Sequence, residues 1–147
     1  MLNKILFWLN NARLFSLPMT LMSWIIIFTY SLKEGGNVIN GILALIGIAF
    51  AHLATNLFDD YIDYKTLSTN KEFMENTVKS KCSYIKDGKA TPNDLLKVVM
   101  FFCGISFLIG VILTIRCGWK IVGLAIIGGI ITLSYAKLSS NGLSELA

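Results

Sequence analysis

The chain has 147 residues, 54% of them hydrophobic and only 15% charged, where a soluble domain carries about a quarter charged residues. That balance, with long apolar runs, argues against a water-soluble domain and for an integral membrane protein. The formal charge of +4 does not make the chain a nucleic-acid binder, because most of the positive charge lies in one loop and has a membrane explanation.

Residues 1–15 read as an amphipathic segment lying on the membrane, with Ile5, Leu6, Trp8 and Leu9 toward lipid. A frayed terminus is the alternative. A cleaved signal is not supported, since Trp8, Asn10, Asn11 and Arg13 interrupt the apolar stretch and no small-residue cleavage site follows. Four segments then approach the roughly 20 residues a spanning helix needs: about 16–32, 38–58, 95–115 and 121–136. Pro18 is tolerated in the first turn of the first span, where its missing N–H has no helical partner. Polar turns at residues 33–37 and 116–120 separate the spans, and residues 59–94 form a long polar loop. The expected architecture is a single all-α membrane domain of about four transmembrane helices. Gly41, Gly47, Gly104, Gly110, Gly123, Gly128 and Gly129 suit close helix packing. Cys82, Cys103 and Cys117 are scattered without a CxxC pair, which supports neither a zinc site nor a disulfide framework.

Basic residues orient the spans. With the N-terminus inside, all but Lys33, Arg116 and Lys120 of the 13 basic residues fall on the inner side, a positive-inside bias. Residues 59–94, with Lys65, Lys71, Lys79, Lys81, Lys86 and Lys89, then face the cytoplasm.

The chemistry concentrates where the second span meets that loop. Asp59, Asp60 and Asp63 spell DDxxD. If the helix continues through them, the three- and four-residue spacings put them on one face. The same spacing carried backward reaches Asn56 and then His52. One aspartate at a bilayer centre costs about 2.5 to 3.5 kcal/mol, so the stripe must line a cavity open at the cytoplasmic surface. Packed carboxylates repel one another, and a divalent cation relieves the conflict. Oxygen ligands without cysteine suit magnesium, which takes one or two carboxylates and leaves places for water and phosphate. Asp60, Asp63 and Asp59 are therefore the candidate metal ligands, with a diphosphate bridged to them. Asn56, Lys65, Lys81, Tyr61 and His52 are candidate substrate-binding residues, the lysines as point charges for the remaining phosphate oxygens. The plainer reading is a helix end crowded with solvated aspartates, with His52 a packing or hydrogen-bonding residue and Tyr61 and Tyr64 ordinary interfacial tyrosines.

At these residues the chain resembles the UbiA family of intramembrane prenyltransferases. Ala12-Arg13-Leu14-Phe15-Ser16-Leu17-Pro18 is similar to the family's approach to its first helix. Asn56-Leu57-Phe58-Asp59-Asp60-Tyr61-Ile62-Asp63 resembles its first aspartate-rich motif. Ser83-Tyr84-Ile85-Lys86-Asp87-Gly88, followed by Pro92 and Leu95, resembles the loop leading into the third helix. Tyr135 and then Gly142-Leu143-Ser144-Glu145-Leu146 resemble a segment of the dihydroxynaphthoate branch. The resemblance implies transfer of a prenyl group from an isoprenyl diphosphate to an aromatic acceptor, here 1,4-dihydroxy-2-naphthoate in menaquinone biosynthesis, at a bacterial inner membrane. It implies magnesium on Asp60 and Asp63, Asn56 in the diphosphate pocket, and Asp59 where many members have asparagine.

The departures are specific. Leu67 and Thr69 stand near where a later aspartate often closes the first motif, and lysines replace the arginines many members use in the loop. The family has about nine membrane helices and a second aspartate-rich motif, neither of which these residues supply. The expectation is the N-terminal half of such a bundle, either a fragment of a longer protein or a shortened gene product, inactive by itself. A different quinone, haem or lipid acceptor, or a non-enzymatic membrane protein binding a cation or partner through the acidic patch, remain the other readings.

Overall fold

The computed structural model describes residues 2–68 and 82–140. Among them there are helices and no strands. α1 is Leu2–Asn11, and a short 3-10 turn, Leu14–Ser16, leads into α2, Leu17–Lys33. α3 is Val38–Leu67, α4 the single turn Ser83–Lys86, α5 Pro92–Cys117 and α6 Lys120–Ser140. Lys71, Lys79, Lys81, Thr69 and residues 142–146 lie outside the described residues.

The helix starts follow local chemistry. Asn37 caps α3, its side chain accepting from the Asn40 amide at 3.2 Å. At α5 the Thr91 hydroxyl accepts from the Asp94 amide at 3.1 Å, and Asp94 answers by accepting from the Thr91 amide and hydroxyl. This is a capping box, with Pro92 in the first turn. Gly35 and Gly118 take φ of 78° and 89° at the ends of α2 and α5, a region closed to most side chains.

Three stretches are long and apolar enough to cross a bilayer: Leu14–Lys33, Val38–Lys65 and Pro92–Cys117. α6 contributes a shorter apolar stretch, Lys120–Ile131. Their outer faces carry exposed large apolar side chains, among them Met19 at 77%, Phe107 at 71% and Ile115 at 79%. Monomers in water rarely expose such a continuous surface, and the three helices are compatible with a membrane protein. The second expected span continues: α3 does not stop near residue 58 but carries the acidic residues as helix to Leu67.

α3 and α5 make the principal packed pair. Leu53, Ala54 and Leu57 on α3 meet Leu95, Val99 and Phe102 on α5, all buried. The three- and four-residue spacings place each set on one helical face. Phe50 meets Phe102 edge-on at 5.5 Å. Higher along the seam the Ser106 hydroxyl donates to the Gly47 carbonyl at 3.0 Å, which requires close backbone approach. α2 joins α3 differently. The Trp24 indole donates to the Gly41 carbonyl at 2.9 Å and stacks on Phe28. A Cβ at Gly41 would overlap the Phe28 ring.

α1 docks inward. Phe7, Trp8 and Leu9 pack against the buried core, while Ile5 and Leu6 stay about half exposed. Of the four side chains expected to face lipid, Trp8 and Leu9 therefore face the protein. The reason is an aromatic cluster: Phe7, Trp8 and Tyr84 meet edge-on, with centroids 5.2 to 6.2 Å apart, a favoured arrangement for aromatic quadrupoles.

The α3–α5 seam is sensitive to bulk. A Cβ at Gly47 would lie 3.0 Å from Ile109 Cγ2, while one at Gly104 meets nothing within 4 Å. Gly47→Leu is expected to destabilise the chain by about 1 to 3 kcal/mol, the usual range for overpacking, and Gly104→Leu to leave it unchanged. Thermal unfolding of both variants in one detergent checks the difference.

Candidate functional site

The polar stripe of α3 is turned toward the junction between α1 and α2. Because α3 remains helical through Asp63, His52, Asn56, Asp59, Asp60 and Asp63 follow one another on one side. Residues 12–20 meet this face one contact at a time.

The deepest contact involves Asp60, 3% exposed and the one buried charged residue among those described. Arg13 Nη2 donates to its Oδ1 at 2.5 Å, and the Tyr84 hydroxyl donates to its Oδ2 at 3.2 Å. The second terminal nitrogen of Arg13 lies 3.9 Å from Asp59 Oδ2. One guanidinium thus spans two carboxylates, the geometry its planar fork suits. The backbone is shaped for this. Arg13 itself is left-handed, with φ 58° and ψ 52°, a conformation costing a non-glycine residue roughly 1 to 2 kcal/mol. That turn ends α1 and starts the 3-10 turn. Cys82, at φ 55°, makes a second left-handed turn just before α4 and Tyr84.

Above Asp60 the contacts are neutral. The Asn56 amide donates to the Ala12 carbonyl at 2.9 Å and to Ser16 Oγ at 3.2 Å. Ser16 Oγ spends its single proton on the Arg13 carbonyl at 2.7 Å. It also lies 2.7 Å from His52 Nε2, and Thr20 Oγ1 lies 3.2 Å from His52 Nδ1. Since the serine proton is already committed, His52 Nε2 must be the donor to Ser16. Thr20 Oγ1 pairs with Nδ1. His52 and Asn56 hold the incoming chain here.

Asp63 is half-buried and Lys65 exposed near the last turn of α3. Tyr61 is half-buried, stacked near-parallel to Phe58 at 6.3 Å, and packs with Tyr64 against the core. Lys81 lies outside the described residues.

Among the described residues, no three His, Cys, Asp or Glu side chains converge as a metal-ligand group. Asp60 gives one oxygen to Arg13 and the other to Tyr84. In this arrangement Asp60 is a poor fit to a magnesium shell. Asp59 and Asp63 remain compatible with magnesium's habit of taking one or two carboxylates. The sequence reading missed Arg13, Ser16, Thr20 and Tyr84 as partners of the stripe. Charge was the available signal: a buried aspartate needs a nearby cation, and Arg13 stands in an otherwise apolar approach to the first span. No family model, curated protein or solved structure matches the chain.

Tyr84 offers a titration signature. Burial pushes its phenol well above the usual tyrosine range, and the charge and hydrogen bond of Asp60 push it further. A raised tyrosine favours the folded state as the neutral phenol. That contribution is complete below about pH 10, the unperturbed value, and is lost as pH climbs beyond it. Absorbance titration of the 5 tyrosines should show one phenol that resists ionisation until the chain unfolds. Tyr84→Phe should remove that late component; an unchanged profile would contradict the assignment.

Proposed function

We propose that this chain serves a membrane prenyltransferase reaction, the transfer of a prenyl group from an isoprenyl diphosphate to an aromatic acceptor. The observation that carries the reading is the unbroken polar face of α3, running from His52 to Asp63 at one end of a long apolar helix. The proposed acceptor is 1,4-dihydroxy-2-naphthoate. The proposed setting is a bacterial inner membrane, with four spans and the acidic end toward the cytoplasm, as the bias of basic residues favours.

In such a site, magnesium would be held by Asp63 and Asp59 and would offset the charge that builds on the departing diphosphate. Lys65 and Lys81 would answer the remaining phosphate oxygens as point charges. Tyr61 would stand beside them at the substrate, with Asn56 and His52 positioning residues 12–20 along the same face. An apolar surround would keep water from the allylic cation until the electron-rich ring attacks it. Another quinone, haem or lipid acceptor would use the same diphosphate chemistry.

One observation favours a second reading, a non-enzymatic membrane protein that binds a cation or partner through its acidic end. Asp60 is already engaged by Arg13 and Tyr84. Calorimetric titration with a non-reactive prenyl diphosphate analogue, with and without magnesium, separates the two. The prenyltransferase reading predicts binding that requires magnesium and is weakened by Asp63→Asn. The loss should be at least about tenfold, the lower end for disturbing even outer-shell groups of a metal site. Magnesium binding indifferent to the diphosphate would favour the second reading.

A further inference from the structure

We propose that Asp60 anchors residues 2–16 as a strap across the polar end of α3, and that this clasp, rather than metal ligation, keeps its carboxylate buried. The inference stands apart from prenyl transfer and holds for either reading above. It departs from what the family resemblance implies for this residue.

Three chain segments meet at one side chain. α3 contributes Asp60 itself. The left-handed turn after α1 contributes Arg13, on Oδ1 at 2.5 Å. α4, from the far side of the polar loop, contributes Tyr84, on Oδ2 at 3.2 Å. Each oxygen has its own donor, one charged and one neutral, so the buried charge is answered inside the protein.

The rest of the strap is built around this point. Ala12, the residue before Arg13, is fully buried and gives its carbonyl to Asn56. The Arg13 carbonyl takes the Ser16 hydroxyl, and Ser16 meets His52. On the other side Phe7 and Trp8 close on the Tyr84 ring. Tyr84 is thus shared: its ring holds α1 while its hydroxyl holds Asp60. A left-handed arginine is an unfavourable backbone state that the surroundings must hold in place, and the ion pair to Asp60 does so. Removing Arg13 leaves the Asp60 charge buried without its partner, the costly way to break such a pair.

Hydrogen exchange on the full chain in detergent micelles tests this, region by region. In Asp60→Asn and in Arg13→Gln, amides of residues 2–16 should exchange faster by about tenfold or more, the signature of a local opening, while those of residues 92–117 keep their protection. Tyr84→Phe, a milder change should the charge variants not fold, should give a smaller acceleration in the same residues. Millimolar magnesium added to the unmodified chain should leave the strap's exchange unchanged. Unaltered exchange of residues 2–16 in Asp60→Asn would overturn the proposal. So would release of the strap by magnesium in the unmodified chain but not in Asp60→Asn, because Asp60 would then be serving a metal.

Discussion

A carboxylate as enclosed as Asp60 keeps its charge only if that charge is answered within reach, and here Arg13 answers it at 2.5 Å. Much of the polar end depends on this pair. It fixes the place where α1 must stop and α2 must begin, and it fixes the side of α3 those residues approach. Through Tyr84 it also fixes where the polar loop returns to the body of the protein before α5. Such an ion pair is weak as a source of net stability compared with apolar packing, but removing one partner is expensive. Its value lies in admitting few alternative arrangements of three segments far apart in sequence.

The constraint explains how one helix serves two surroundings. Along most of its length α3 is apolar and packs on α5 through Leu53, Leu57, Leu95 and Phe102. Toward its C-terminal end it carries aspartates whose like charges repel one another. The guanidinium between Asp59 and Asp60 offsets that conflict. The acidic residues therefore continue the helix instead of unravelling into a loop. The result is a molecule apolar around its sides and polar at one end, the polar face covered by its own N-terminal segment.

Much of this was legible in the sequence, and the limits are physical. The apolar runs marked where the long helices lie, because hydrophobic length is a local property, and α3 runs on well past its apolar stretch. The one-sided spacing of His52, Asn56, Asp59, Asp60 and Asp63 was also legible, since it depends only on helical periodicity. What the stripe touches was not. Asn56 meets Ala12 across 44 residues and Asp60 meets Arg13 across 47, and no local pattern records such pairings. The shared face rests on the helix running through the aspartates, and α3 does so, to Leu67. Trp8 and Leu9 fit a lipid-facing pattern by themselves, and turn inward because Tyr84 offers a ring edge.

Arg13 and Asp60 act as one unit, and a double-mutant cycle measures that directly. The unfolding free energy in a single detergent would be compared for the unmodified chain, Arg13→Gln, Asp60→Asn and the double variant. Coupling of about 2 kcal/mol or more is the predicted result, within the range for residues sharing a buried charge network. Single effects that add to within about 0.5 kcal/mol, as independent sites do, would contradict the account.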